Sequence, residues 1–417
     1  MNVQTKPNLG AAQGRLPFKR VALVLQGGGA LGAYQAGVYE ALAESGIHPD
    51  WIAGISIGGI NAAIIAGNPP NMRVDRLREF WTQVTTDAPR HWFGWAAAKG
   101  DGARNLLNHF SANLALTQGA KGFFTARPVS PWLQPSGTPE ATSFYETREL
   151  KRTLERLVDF DRINAGLLRF SVGAVNVTTG NFVYFDTTTH TIQPEHVMAS
   201  GALPPGFPAI EIEGEHYWDG GLVSNTPLQW VVESEPRRDT LAFQVDLWSA
   251  RGDFPRTMLN AMTREKEIRY SSRTRAGTDQ FKRIQKLRCA TAGLLEQLPE
   301  HLKNSPEAKL LGTVADRKVF NIIHLIYRAR NYEGHSKDYE FSRASMEEHW
   351  RAGYRVALTD GVRTGRFLRR ATPLPSREQM VVFLRGALVK KRCDDHKSKR
   401  WIKTREIKQG KFARNKV

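Results

Sequence analysis

A serine set between two glycines is the first pattern in this chain that points to catalysis. A predicted strand at 50–55, which contains Gly54, runs into Ser56 and Gly58, and a predicted helix at 60–66 follows. A serine on a sharp strand-to-helix turn sits in strained backbone, and small neighbours let other chain segments approach it. The dipole of the helix directs its positive end toward the reacting centre. The pattern predicts Ser56 as a nucleophile for acyl transfer, against the alternative of an ordinary glycine-rich turn.

A run of glycines precedes this serine and follows an apolar segment, 21–25, that predicts a buried strand. The run consists of Gly27, Gly28 and Gly29, and Gly32 completes a G-x-G-x-x-G spacing. Successive glycine N–H groups can hold a phosphate or a catalytic oxyanion. A dinucleotide site would also need an acidic residue at the end of the second strand, which here runs into Ser56. We therefore favour an oxyanion hole.

An aspartate followed by two glycines supplies a candidate base. Asp219 precedes Gly220 and Gly221, directly after a hairpin predicted over 210–218. A serine hydroxyl is a weak nucleophile and needs a base within hydrogen-bond distance. A carboxylate in mostly apolar surroundings can serve, because burial raises its proton affinity. Alone, Asp-Gly-Gly is a common turn, so this prediction depends on the other two patterns.

Taken in this order, the three patterns resemble the patatin-like phospholipase family. The segments 202–208, 217–222 and 225–228 are similar to the sequence around that family's catalytic aspartate, and the resemblance covers roughly 18–250. It implies lipid acyl esters as substrates and a Ser–Asp dyad. The residue roles it implies are Ser56 as nucleophile, Asp219 as base, an oxyanion hole at Gly27, Gly28 and Gly29, and supporting turns at Gly32, Gly54, Gly58, Gly220 and Gly221.

The chain departs from the family at two positions beside the glycines. Many members have Asp before the glycines and Arg two positions after them, where this chain has Gln26 and Leu31. The backbone donors are unaffected by this change. Because position 31 is a leucine, this chain has no arginine there that could steer an anionic head group.

The expected fold is a three-layer α/β/α patatin-like fold with a mainly parallel central sheet and a helical, basic C-terminal extension. Apolar runs at 21–25, 170–177, 241–248 and 319–327 predict further strands of that sheet. We expect four segments: a flexible lead at 1–18, a catalytic domain at 19–250, a basic mixed helical extension at 251–389 and a disordered basic tail at 390–417.

The net charge of +18 lies entirely in the C-terminal part. Residues 1–250 carry a net −3, residues 251–389 a net +12, and residues 390–417 a net +9. The basic run at 264–288 places Phe281, Ile284 and Leu287 at helical spacing, which suits either an anionic membrane surface or packing on the core. Nucleic-acid binding is disfavoured, because no recognised module is present.

The C-terminal part, about 251–390, also resembles an uncharacterised domain that follows the patatin core in a bacterial subgroup. The run 332–342 is the most typical part of it. This resemblance implies a family placement and no mechanism.

A histidine-based triad is the alternative to the dyad. His324 would fit the order Ser, acid, His, whereas His216 lies three residues before Asp219 on a strand and so faces the other way. We predict a dyad without histidine. Scattered histidines and two distant cysteines, Cys289 and Cys393, predict no metal site, and no cofactor is expected.

No secretory leader and no membrane-spanning segment are expected, so the predicted location is the cytoplasm, peripheral to a membrane. The predicted function is a serine acyl hydrolase of the lipase or phospholipase A type. Three alternatives stay open: an acyltransferase, an esterase on another acyl ester, and a non-catalytic membrane- or nucleic-acid-binding protein.

Overall fold

The computed structural model describes residues 18–86, 100–330 and 332–358, together with 16 and 382–384. The strands are β1 (Arg20–Leu25), β2 (Trp51–Gly54), β3 (Thr125–Ala126), β4 (Tyr145–Glu146), β5 (Arg169–Asn176), β6 (Phe182–Asp186), β7 (Ile210–Ile212), β8 (Glu215–Asp219), β9 (Thr240–Asp246), β10 (Phe320–Ile326) and β11 (Val382–Leu384). The helices are α1 (Ala33–Glu44), α2 (Ile57–Ala66), α3 (Arg73–Val84), α4 (Asp101–Gln118), α5 (Arg148–Leu157), α6 (Phe160–Asn164), α7 (Pro194–Ser200), α8 (Leu228–Glu233), α9 (Met258–Glu296), α10 (Glu300–Lys303), α11 (Pro306–Val314) and α12 (Arg343–Val356). Short 3₁₀ helices cover Gly29–Gly32, Pro131–Leu133, Pro139–Thr142 and Gly220–Leu222.

The central sheet has the strand order β11-β10-β9-β1-β2-β5-β8-β7, and β6 also pairs with β5. Each neighbouring pair from β11 to β5 in this order is parallel. The strands β6 and β8 pair antiparallel with β5, and β7 pairs antiparallel with β8. The strands β1 and β9 are buried along their whole length, as their apolar runs predict. Because parallel strands end at one edge of a sheet, the loops after β1 and β2 lie side by side there.

Helices cover both faces of the sheet. Along β1, Leu23 and Leu25 point into a core that includes α1 and α2, whereas Ala22 and Val24 point into a second core with residues of α8. This alternation is the period of two that a strand between two layers requires. The mainly parallel α/β/α architecture is therefore confirmed.

Residues beyond 250 continue the same sheet. The strand β10 pairs in parallel with β9, and β11 pairs with β10. The helices of this part match the expected helical extension, which additionally supplies these two strands. The apolar stripe expected on α9 packs inward at Phe281, whose ring lies 5.2 Å from that of Phe320, whereas Leu287 is 68% exposed.

None of the helices within the described residues combines the length and the apolarity needed to cross a membrane. The expected basic tail at 390–417, and the expected lead apart from residues 16 and 18, lie outside the described residues.

Candidate active site

Ser56 lies on the sharp turn that its glycine neighbours predict. Its φ is 55° and its ψ is −127°, between the end of β2 and the start of α2. A Cβ at Gly54 would lie 2.2 Å from the carbonyl oxygen of Gly58, and one at Gly58 would lie 2.4 Å from that of Leu25. The N–H of Ser56 donates to both the carbonyl oxygen and the Oγ of Ser200, each at 3.1 Å. Left-handed backbone at a serine is held only where its surroundings enforce it, and here they do.

Asp219 faces this serine from the end of β8. The Ser56 hydroxyl is close enough to the Asp219 carboxylate to lower its pKa, and the Gly221 N–H donates to Oδ1 at 2.6 Å. Asp219 is 2% exposed. Burial raises its pKa from 3.8 to about 6, although the Ser56 hydroxyl and the Gly221 N–H act in the opposite direction. The result is a carboxylate that is ionised at neutral pH and more basic than an exposed one.

Gly27 passes next to the serine, but its N–H is already bonded. A Cβ at Gly27 would lie 3.1 Å from the Ser56 Cβ and 2.3 Å from the Asn225 Oδ1. The Gly27 N–H donates to the Asn225 carbonyl oxygen at 3.2 Å. Its carbonyl oxygen accepts from Asn225 Nδ2 at 3.1 Å and from Trp248 Nε1 at 2.9 Å. These bonds correct the expectation of three oxyanion donors, because Gly27 is committed to Asn225.

The next two glycines keep their donors available. Within the described part of the chain, the N–H groups of Gly28 and Gly29 donate to no protein atom. The following N–H, of Ala30, donates to the Asp338 carbonyl oxygen at 2.8 Å. Gly29 has a φ of 54°, and a Cβ there would lie 2.0 Å from that same oxygen. Two adjacent free N–H groups in a loop beside a serine suit an oxyanion.

The Gln26 side chain holds the start of this loop to the residues that follow β9. It is fully buried. Its Oε1 accepts the N–H groups of Leu247 and Trp248 at 2.6 and 3.1 Å, and its Nε2 donates to Thr226 at 3.0 Å. Leu31 is likewise fully buried, in the core on the α1 side. Gln26 and Leu31, the two positions that depart from the family pattern, therefore have structural roles: Gln26 through hydrogen bonds and Leu31 through core packing.

The remaining predicted glycines allow close packing. A Cβ at Gly32 would lie 2.5 Å from Ile57 Cγ1, and one at Gly220 would lie 2.5 Å from the Gly173 carbonyl oxygen. Three further residues position the site through the hydrogen bonds described above, although no sequence motif assigned them a role: Asn225, Trp248 and Ser200. Of these three, Asn225 could have been identified from the sequence, because it lies in the segment 225–228 that is similar to the family.

The two histidines named as alternatives are not placed beside Ser56 as Asp219 is. His324 Nδ1 is 3.2 Å from Asp246 Oδ2, and its strand β10 is separated from β2 by β9 and β1, about 14 Å at ordinary strand spacing. His216 is exposed, whereas Asp219 on the same strand is buried. Among the described residues, no group of three His, Cys, Asp or Glu side chains is placed to hold a metal ion.

Comparison with protein families gives two matches along the chain. A model described as patatin-like phospholipase matches residues 23–231, and one described as patatin phospholipase matches residues 268–363. A lysophospholipase NTE1 of Yarrowia lipolytica is 25% identical over 235 residues, which is 56% of this chain and 13% of that protein. A lysophospholipase nte1 of Aspergillus terreus is 54% identical over 52 residues, which is 12% of this chain and 3% of that protein. The chain thus spans a small part of these relatives.

Two solved structures show a distant likeness. VipD from Legionella pneumophila covers 79% of this chain, and 67% of VipD is covered, with 16% identity and a TM-score of 0.33. ExoU, solved with SpcU from the type III secretion system of Pseudomonas aeruginosa, covers 71% of this chain, with 60% of that chain covered, 17% identity and a TM-score of 0.27. The fold assignment rests on the sheet and on the family match.

Proposed function

The chain belongs to the patatin-like phospholipase family, and we propose that it is a serine acyl hydrolase that cleaves acyl esters of lipids. The observation that carries the proposal is the strained Ser56 beside the buried carboxylate of Asp219, whose pKa the Ser56 hydroxyl lowers and burial raises. A nucleophile, a base of raised pKa and free backbone donors together make an acyl-transfer site.

The proposed reaction has two halves. The Ser56 oxygen attacks the ester carbonyl carbon while its proton passes to Asp219, and the N–H groups of Gly28 and Gly29 hold the oxyanion. The C–O bond to the alcohol breaks, the alcohol leaves with the proton from Asp219, and an acyl-enzyme remains. Water then attacks the acyl carbon and gives a proton to Asp219. The bond between the acyl carbon and the Ser56 oxygen breaks, Asp219 returns the proton to that oxygen, and the carboxylic acid is released.

Apolar side chains beside the dyad support a lipid substrate. The Asp219 N–H donates to the Ala202 carbonyl oxygen at 2.9 Å, which places Leu203 next to the base. Leu203, Leu222 and Val223 are 36%, 37% and 45% exposed. Such a rim can take an acyl chain out of water, at about 0.8 kcal/mol per buried methylene.

The dyad is tested by hydrolysis of monoacyl and diacyl phospholipids. We expect Ser56→Ala and Asp219→Asn to lower kcat by at least about 10³-fold, because each removes a group that acts in the transition state. His216→Ala and His324→Ala are the controls, and both should retain activity. A folded histidine variant as inactive as Ser56→Ala would refute the dyad. Products formed with an added alcohol acceptor separate hydrolysis from acyl transfer.

Peripheral contact with an anionic membrane is the proposed route to substrate. Phe254, Met258 and Leu259 are 88%, 77% and 54% exposed, with the exposed Arg251 and Arg256 beside them. This segment lies at the edge of the sheet that carries the glycine loop. Arg264 of α9 donates to the carbonyl oxygens of residues 249 and 250, and these residues directly follow Trp248, which donates to Gly27. Exposed apolar and basic side chains together favour an anionic lipid surface.

Co-sedimentation with liposomes tests this contact. We expect more protein on vesicles that contain phosphatidylglycerol than on pure phosphatidylcholine, and less binding for a Phe254→Ser, Met258→Ser variant. The control is Leu310→Ser, which changes a side chain on α11 that is 70% exposed. Equal recovery on both vesicle types would overturn the proposed contact.

A further inference from the structure

We propose that the part of the chain after residue 250 acts in catalysis by holding the oxyanion loop, with Asp338 as the positioning residue. The inference rests on the proposed function, because the oxyanion is that of the proposed reaction. It concerns a region for which the family resemblance supplies no role.

The glycine loop is fixed on both sides of its two free donors. On one side, Gly27 is held by Asn225 and by the indole N–H of Trp248. On the other side, the Ala30 N–H donates to the Asp338 carbonyl oxygen at 2.8 Å. That oxygen also fills the space in which a side chain at Gly29 would lie. The second anchor of the loop therefore comes from a segment more than 300 positions away along the chain.

Two ion pairs fasten this segment to α9. Lys266 Nζ lies 2.6 Å from the Asp338 carboxylate, with both side chains less than 20% exposed. The neighbouring Lys337, whose side chain is 4% exposed, pairs with Glu267 of the same helix. The two ammonium groups lie 5.8 and 5.3 Å from the ring of Trp248, the residue that holds Gly27. Both anchors of the loop thus meet at one cluster of charged and aromatic side chains.

Small movements of the loop should affect the transition state more than the bound ester. Oxyanion donors stabilise charge that develops only during reaction, and they must be held to within about 0.5 Å. Lys266→Met leaves the Asp338 carboxylate without its cation and loosens the segment that accepts from Ala30. We therefore expect a lower kcat with little change in KM.

The test compares Lys266→Met with two matched variants in the full chain. Lys266→Arg keeps the positive charge, and Arg269→Met removes an exposed cation from the same helix that pairs with Glu265. With a soluble short-chain ester, we expect kcat of Lys266→Met to fall about 10-fold or more, with KM within about 2-fold. Affinity for a trifluoromethyl ketone, whose adduct with Ser56 carries an oxyanion, should fall by the same factor. Both matched variants should behave as the unchanged protein.

Hydrogen exchange in the peptide 26–32 supplies a readout independent of turnover. We expect faster exchange in Lys266→Met and unchanged exchange in Arg269→Met. If the unchanged protein hydrolyses no ester, the proposed function fails and the positioning role of Asp338 fails with it. If the protein is active but Lys266→Met keeps its kcat, or its loop exchanges at the original rate, the inference is overturned and the proposed function stands.

Discussion

The central residue of the site is Asp219, because its surroundings set both its charge and its basicity. It has almost no contact with solvent, which disfavours the ionised form. The Ser56 hydroxyl and the Gly221 N–H, which donates to Oδ1, favour that form by lowering the pKa. The balance leaves a pKa of about 6, so the carboxylate is ionised at pH 7 and can accept the serine proton.

The pH dependence of hydrolysis follows from this value. Asp219 must be ionised to act as a base, so kcat/KM should rise through pH 6 and reach a plateau above it. Below pH 6 the rate should fall about 10-fold per pH unit, because one proton inactivates the base. A pH–rate profile measured with a neutral short-chain ester checks this. A transition that disappears in His324→Ala would instead assign the base to histidine.

At the scale of elements, α1 and α12 approach each other unusually closely. A Cβ at Gly37 would lie 1.9 Å from the Trp350 carbonyl oxygen, and one at Gly353 would lie 1.9 Å from that of Tyr34. Helix α1 begins directly after the glycine loop, at Ala33. The contact therefore joins the C-terminal part to the helix that leaves the oxyanion loop.

This crossing should tolerate no added methyl group. We expect Gly37→Ala and Gly353→Ala each to lower the free energy of unfolding by about 1–3 kcal/mol, because the backbones must separate. Gly312→Ala is the matched control, since the new Cβ on α11 would meet nothing within 4 Å and alanine favours the helix. Urea unfolding of the three variants measures the difference. Equal stability of Gly353→Ala and Gly312→Ala would contradict the close crossing.

Sequence patterns predicted the parts of this fold that local chemistry determines. The all-apolar run 21–25 within β1 favours a position between two layers, and Gly54 and Gly58 allow the strained turn at Ser56. The bond from Gly27 to Asn225, and that from Ala30 to Asp338, join distant segments through main-chain atoms. Nearly every residue carries the same main-chain donor and acceptor, so no residue pattern predicted that the Gly27 N–H would be bonded to Asn225.

At the scale of the whole molecule, the expected boundary near residue 250 divides the charge but does not divide the sheet. The strand β9 lies on one side of it, and its parallel neighbour β10 lies on the other. The helix α12 covers α1, and Asp338 reaches the glycine loop. The basic part thus completes the core around the acidic part.

Truncation tests this interdependence. A chain ending after residue 250 would expose the edge of β9 and the apolar face of α1, so we expect aggregation or loss of cooperative unfolding. A chain ending after residue 389 keeps every described element and should unfold like the full chain. Size-exclusion chromatography and thermal unfolding compare the two. A monomeric, cooperatively folded and fully active 1–250 fragment would contradict the account.

The most direct test of the central claim is mass spectrometry after labelling with a fluorophosphonate, which reacts with activated serines. We predict one adduct per chain on the unchanged protein, mapped to the peptide that contains Ser56. Ser56→Ala should take up no label, and Asp219→Asn should label far more slowly, because the base that activates the serine is gone. Labelling at another serine, or equally fast labelling of Asp219→Asn, would contradict the Ser56–Asp219 dyad.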